Sequence, residues 1–170
     1  QRRRRMGAVE IVLPEVDVAV VDGQVILKRV PRLAARTIVE NAMILTGEAV
    51  ARFAQEHAIP MPFSTQDPPD EPIGEAENDS LAAMFALRKT MKRSQYRASP
   101  AAHSGLGLAA YTQTTSPMRR YLDLVAHQQL RAYLAGGRLL TGDEILERVG
   151  ATEAVIGSLR QAESLSNQHW

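Results

Sequence analysis

Residues Ser116 to Gly137 constrain the chain more than any other stretch, because both ends of an amphipathic helix are written into them. Ser116 offers a hydroxyl N-cap, and the ring of Pro117 is preset for the first helical position. Behind them Leu122, Val125, Leu130, Tyr133 and Leu134 recur at helical spacing, and Gly136-Gly137 stops the run. The open amides and positive dipole end of such a helix attract anions, phosphate among them. Arg119 and Arg120 fall in that first turn, where the dipole favours acidic residues. Held there against the dipole, two guanidinium forks suit a phosphate diester; a pair of solvated surface charges is the plainer reading. Upstream, Gly105 and Gly107 in G-L-G-L fit a buried strand or a turn equally well.

Composition bounds the rest. At 170 residues the chain is long enough for one domain with a real core. It has no cysteine, which excludes disulfides and thiolate metal sites and fits a reducing cytoplasm. No apolar run approaches the ~20 residues of a membrane span, so a membrane partner is not expected. Net charge is only +1, but Arg2 to Arg5 form one basic run and Lys89, Lys92, Arg93 and Arg97 another, with an acidic, proline-rich passage from Asp67 to Glu77. These are solvated faces or nucleic-acid contacts. The chain opens on Gln1 without a methionine and closes on Trp170, as expected of a piece of a longer protein.

Read in order, Arg2 to Met6 end a helix. Val9 to Leu13 and Val16 to Val21 are β-rich, and Asp22-Gly23 makes a primed two-residue hairpin turn leading into a strand from Gln24 to Val30. Pro31 opens a long helix with Leu33, Ile38, Ala42, Leu45, Val50 and Phe53 on one face. The proline density of His57 to Gly74 predicts a loop. Asp79-Ser80 caps a helix through Ala82, Met84, Leu87 and Met91 to about Arg93. Ser94 to Pro100 reads as an irregular connector. Thr141 with Glu144 forms a capping box, and helical pattern continues from Ala151 to about Asn167. The fold class is therefore α+β, a small antiparallel hairpin or sheet followed by several packed helices. No zinc spacing links His57, His103, His127 and His169.

The pattern H-x-G-L-G-L-x-x-Y-x-x-x-T-S-P-x-R-R-Y-x-D-L-x-x-H, from His103 to His127, resembles the signature of the RNB family, the ribonuclease II and ribonuclease R exoribonucleases. Arg32 to Met43 resembles the family's helix R-x-A-x-R-x-I-E-E-x-M. Gly7-Ala8 with Pro14-Glu15 is similar to its strand entry, and Glu163, Ser166, Asn167 and Trp170 to its closing E-R-x-S-N-x-Y-W. The resemblance implies that residues 1–170 are the C-terminal portion of a single RNB catalytic domain. Its parent would hydrolyse single-stranded RNA from the 3′ end to nucleoside 5′-monophosphates.

Mg²⁺ would be held by an aspartate cluster, G-x-x-x-x-D-x-D-D in relatives, that this chain lacks. No metal ligand is therefore expected here, and the chain alone is expected to be inactive, with the upstream remainder of the domain as its partner. By the same resemblance, Arg119 is the catalytic arginine at the scissile phosphate. Ser116, Arg120, Tyr121, His103, Glu40 and Glu163 are the RNA-binding candidates. Departures from the pattern are Asn41 for the second paired glutamate, Ser164 beside Glu163, Gln113 and Thr114 before T-S-P, and Gln128 after His127. The alternative is a catalytically inactive RNA-binding relative. For His127, Tyr111 and Tyr121 a buried, hydrogen-bonded role is expected rather than a catalytic one, with Tyr121 close enough to the helix start to touch RNA as well.

Overall fold

The computed structural model describes residues 2–70 and 80–169; Asp79, Trp170 and most of the acidic passage ending at Glu77 lie outside the described residues. A short helix α1 (Arg2–Arg5) leads into an extended passage and then the hairpin β1 (Val16–Val21) and β2 (Gln24–Arg29). The register runs from Val16 opposite Arg29 to Val21 opposite Gln24. Asp22 at φ 51° and Gly23 at φ 75° make the expected primed turn. Val9 to Leu13 form no strand, contrary to expectation; Val9 instead donates to the Gly105 carbonyl at 3.1 Å.

Helix α2 (Ala34–Glu56) starts three residues after Pro31, not at it. The Val30 amide still donates to Glu15 at 2.9 Å, so the hairpin ladder holds the backbone extended past the second strand. The buried face of α2 matches the expected one only toward its C-terminal end, where Val50 and Phe53 pack against the core. It carries Gly47, Ala51 and Ala54, while Ile38 and Leu45 are 69% and 61% exposed. The reason is close approach: a Cβ at Gly47 would sit 2.5 Å from the Thr112 carbonyl oxygen and 2.3 Å from the Tyr111 ring. Only small side chains let that segment lie against the helix.

Inside the expected loop, Phe63–Thr65 forms strand β3, which pairs antiparallel with β4 (Gln95–Arg97) in the expected connector. Prolines flank this strand rather than break it, since Pro60 and Pro62 need only offer carbonyls, to Gln129 at 2.8 Å and Thr112 at 3.0 Å. Between the two strands, α3 (Leu81–Thr90) is capped by the Ser80 hydroxyl, which accepts from the Ala83 amide at 3.2 Å. It stops short of Arg93 because Met91 turns extended and feeds β4.

Helices α4 (Tyr121–Leu134) and α5 (Gly142–His169) complete the chain. Gly136 at φ 64° ends α4 as expected, with the Gly137 amide returning to the Ala132 carbonyl at 2.8 Å. The capping box forms: Thr141 N–H donates to Glu144 at 2.8 Å, and Glu144 N–H donates to the Thr141 hydroxyl at 3.2 Å. The pattern beyond Ala151 belongs to the same unbroken helix.

The core has two parts. One gathers Ala51, Ala54, Ile59, Met61, Phe63, Ala110 and Ala126; the other gathers Leu122, Val125, Ile145 and Val149. Helix α4 contributes to both and stands between them. Its buried Gln129 ties neighbouring loops together, donating to Pro60 at 2.8 Å and Leu140 at 3.1 Å and accepting from the Leu140 amide at 2.8 Å. The architecture is α+β, and among the described residues no helix is long and apolar enough to cross a membrane.

Candidate nucleic-acid interface

Ser116 and Pro117 do not open the helix. The amides of Arg119 and Arg120 both donate to the Ser116 carbonyl, at 3.2 and 3.0 Å, closing a turn in which Pro117 takes the second position it favours. Arg120 is then extended (φ −120°, ψ 114°) and becomes the N-cap residue, so α4 begins at Tyr121. The Ser116 hydroxyl is not the cap. Its amide instead donates to Asp123 Oδ2 at 2.8 Å.

Asp123 organises this corner. It is fully buried, in the first turn of α4, where the helix dipole favours a carboxylate. Arg120 donates to it twice, from Nε at 2.9 Å and Nη2 at 2.6 Å, and Nη2 also reaches the Thr115 hydroxyl at 3.3 Å. That hydrogen bonding holds the Arg120 guanidinium above its ordinary pKa. The two arginines, equivalent by sequence, thus separate. Arg120 is half-buried and committed to Asp123. Arg119 is exposed, and among the described residues its side chain has no hydrogen-bond or ion-pair partner.

Arg119, Arg120 and Tyr121 line a cleft of about 770 Å³ between the start of α4 and the middle of α5, with Tyr96, Arg148 and Leu159 among the other walls. Tyr121 is 49% exposed there, contrary to the expected buried role, because its place at the first position of α4 turns it toward the cleft. Glu144 and Glu147 also line the cleft; the Glu144 carboxylate is bonded to the Thr141 amide and paired with Arg138 at 2.7 Å, which pulls its pKa below the usual carboxylate range. Tyr96, whose hydroxyl donates to Gln113 at 2.8 Å, is pushed above its ordinary pKa by burial. A cationic fork beside an aromatic ring over an apolar floor can hold a phosphate and pack a base.

The other candidates disperse. Glu163 lies exposed on α5, one turn past Leu159. Glu40 is on a separate cleft of about 510 Å³ with Glu15, Arg32 and Arg36. His103 lies apart from this cleft: it is 8% exposed, its Nε2 is 3.2 Å from the Ser94 hydroxyl, and its ring meets Tyr111 edge-on at 5.8 Å. Burial lowers its pKa, and Nδ1 has no partner. His127 takes the expected structural role, with Nε2 donating to the Thr114 carbonyl at 2.8 Å.

Sequence analysis does not single out Asp123. The signal for it was Arg120-x-x-Asp123, a pair one helical turn apart, hidden by placing the helix start at Ser116. The described residues do not form a divalent-cation site. Among the described residues no three His, Asp or Glu side chains converge, and the Asp123 oxygens are already taken up by Ser116 and Arg120.

The RNB domain family model matches residues 1–136. An uncharacterized ribonuclease of Synechocystis sp. is 37% identical over 100% of the chain and 26% of its own length. The chloroplastic/mitochondrial Ribonuclease II of Arabidopsis thaliana is 33% identical over 81% of the chain and 18% of its own length. RNase R of Mycoplasma genitalium, solved in complex with ribose methylated single-stranded RNA, matches with TM-score 0.72 at 22% identity, covering 95% of this chain and 32% of that one. An active site mutant of the Dss1 exoribonuclease from Candida glabrata matches with TM-score 0.72 at 26% identity, over 86% of this chain and 20% of that one. The chain spans about a quarter or less of the curated relatives it matches.

Proposed function

The chain belongs to the RNB family, and from that premise we propose that it forms one wall of the active site of a 3′→5′ exoribonuclease that hydrolyses single-stranded RNA to nucleoside 5′-monophosphates. The observation that carries this reading is the uncommitted guanidinium of Arg119 on the rim of the cleft beside Tyr121. Arg119 binds the scissile phosphate and neutralises the charge that grows on its oxygens during attack by water. A preorganised donor aimed at developing charge is worth far more in the transition state than in the ground state. Tyr121 offers a face to the neighbouring base, and Arg120 serves the wall without touching RNA through its Asp123-bound edge.

Mg²⁺ supplies Lewis-acid activation of water and phosphate in such hydrolysis. Its ligands come from outside the residues described here, in the remainder of the same catalytic domain, which is this chain's first partner. The chain alone is inactive.

The test is turnover of a single-stranded oligoribonucleotide with Mg²⁺ by the full-length protein carrying this chain. Arg119→Ala lowers kcat by about 100-fold or more, with the RNA Kd changed only a few-fold. Near-normal turnover in the alanine variant overturns the reading. Tight RNA binding with no turnover in the unaltered protein replaces it with the inactive RNA-binding relative.

A further inference from the structure

We propose that Asp123 is the positioning residue for Arg119, a role that rests on the reading of Arg119 as the phosphate-binding group. The geometry is that of a clamp. One fully buried carboxylate holds the entry to the Ser116–Arg119 turn through the Ser116 amide at 2.8 Å. It holds the exit through both bonds from the Arg120 side chain, at 2.9 and 2.6 Å. Between these two anchors stand Pro117, Met118 and Arg119. Proline fixes its own φ, and the Ser116 carbonyl closes the turn by accepting from the amides of Arg119 and Arg120. The turn projects outward, with Met118 98% exposed, so among the described residues it is anchored only from behind. The anchoring comes from behind, and it comes from one side chain.

This arrangement explains why two adjacent arginines are needed. Arg120 saturates the carboxylate and stiffens the turn, and Arg119 is left free to meet an anion. Asp123 itself is buried behind the turn and touches no substrate. Loss of the clamp leaves Arg119 present but poorly aimed. A displacement of about 1 Å in a catalytic donor is enough to cost a large fraction of its rate contribution.

The experiment is a double-mutant cycle in the full-length protein, reading single-turnover cleavage of an oligoribonucleotide with Mg²⁺, and its Kd in parallel. Asp123→Asn keeps the shape and one acceptor for the Ser116 amide but removes the charge that fixes Arg120. It lowers kcat by about tenfold or more, with KM little changed. In an Arg119→Ala background the same substitution has almost no further effect, because there is no guanidinium left to aim. Arg120→Lys keeps both charges and loses the fork, and it is the second variant that keeps the test decisive if Asp123→Asn fails to fold. It shows a smaller loss that also vanishes beside Arg119→Ala. If the protein binds but does not cleave RNA, the same coupling is read in Kd.

Multiplying effects overturn the proposal, because a purely structural residue lowers activity whether or not Arg119 is present. Unchanged activity in Asp123→Asn and Arg120→Lys overturns it too. If Arg119→Ala alone changes neither kcat nor Kd, the phosphate reading itself falls and takes the clamp with it. That outcome is distinct from the first two, in which Arg119→Ala retains its own effect.

Discussion

Val18 and Leu27 face each other across the hairpin and are 59% and 67% exposed, whereas Asp123 and Thr112, a carboxylate and a hydroxyl, have no exposed surface. Of these four side chains, the apolar pair lies outside and the polar pair inside. What separates them is partners. The hairpin is held by its own ladder, and a lone two-stranded unit gains little from that in water. The centre around α4 buries polar groups, but most of them reach a partner: Thr112 donates to Pro62, Gln129 serves both Pro60 and Leu140, and Asp123 accepts from Ser116 and Arg120. Satisfied polar bonds fix which segments meet and at what angle, which apolar contact alone leaves loose.

Substitutions of decreasing weight test that contrast. Gln129→Leu preserves bulk but strands two carbonyls and an amide in the core, and it destabilises the fold by about 3 kcal/mol in urea unfolding. A loss below about 1 kcal/mol would mean the polar ties are not what holds the centre.

His103 gives a smaller, pH-dependent effect. Burial holds its imidazole below the ordinary value of 6.5, so the folded state favours the neutral ring. The unfolded chain takes up the proton first as pH falls. The stabilisation is complete above about pH 6.5 and is lost as pH falls on through the depressed folded value. Urea midpoints measured above and below that point should diverge in the native protein and converge in His103→Gln; equal slopes in both would remove His103 as their source.

The smallest effect belongs to the hairpin. Val18→Thr and Leu27→Gln each change stability by less than about 0.5 kcal/mol, because both side chains already meet water. A cost well above that would show that a further segment or partner covers this face.

The same division governs what could be read in advance. The primed turn at Asp22-Gly23, the αL stop at Gly136 and the Thr141–Glu144 box were legible because their causes lie within four residues. So was the α+β class, and the motif from His103 to His127 pointed to the family before any coordinate did. The buried face of α2 was not legible. Hydropathy favours Ile38 and Leu45, but the closeness of Tyr111 selects Gly47, Ala51 and Ala54. The pairing of β3 with β4 joins segments thirty residues apart through a passage whose prolines argued for a loop. The start of α4 was misplaced by four residues for a similar reason. Ser116-Pro117 is a sound local signal for a helix start, and a buried carboxylate seven residues on turned it into the first half of a clamp.

By itself, then, the sequence determined the Asp22-Gly23 turn, the Gly136 stop and the Thr141–Glu144 box, and it named Arg119 and Arg120 as a pair. Tertiary structure alone decided which arginine is committed and which is free. That choice depends on a carboxylate removed from water, whose two oxygens must be satisfied in place, and burial is a property no local stretch of chain can specify.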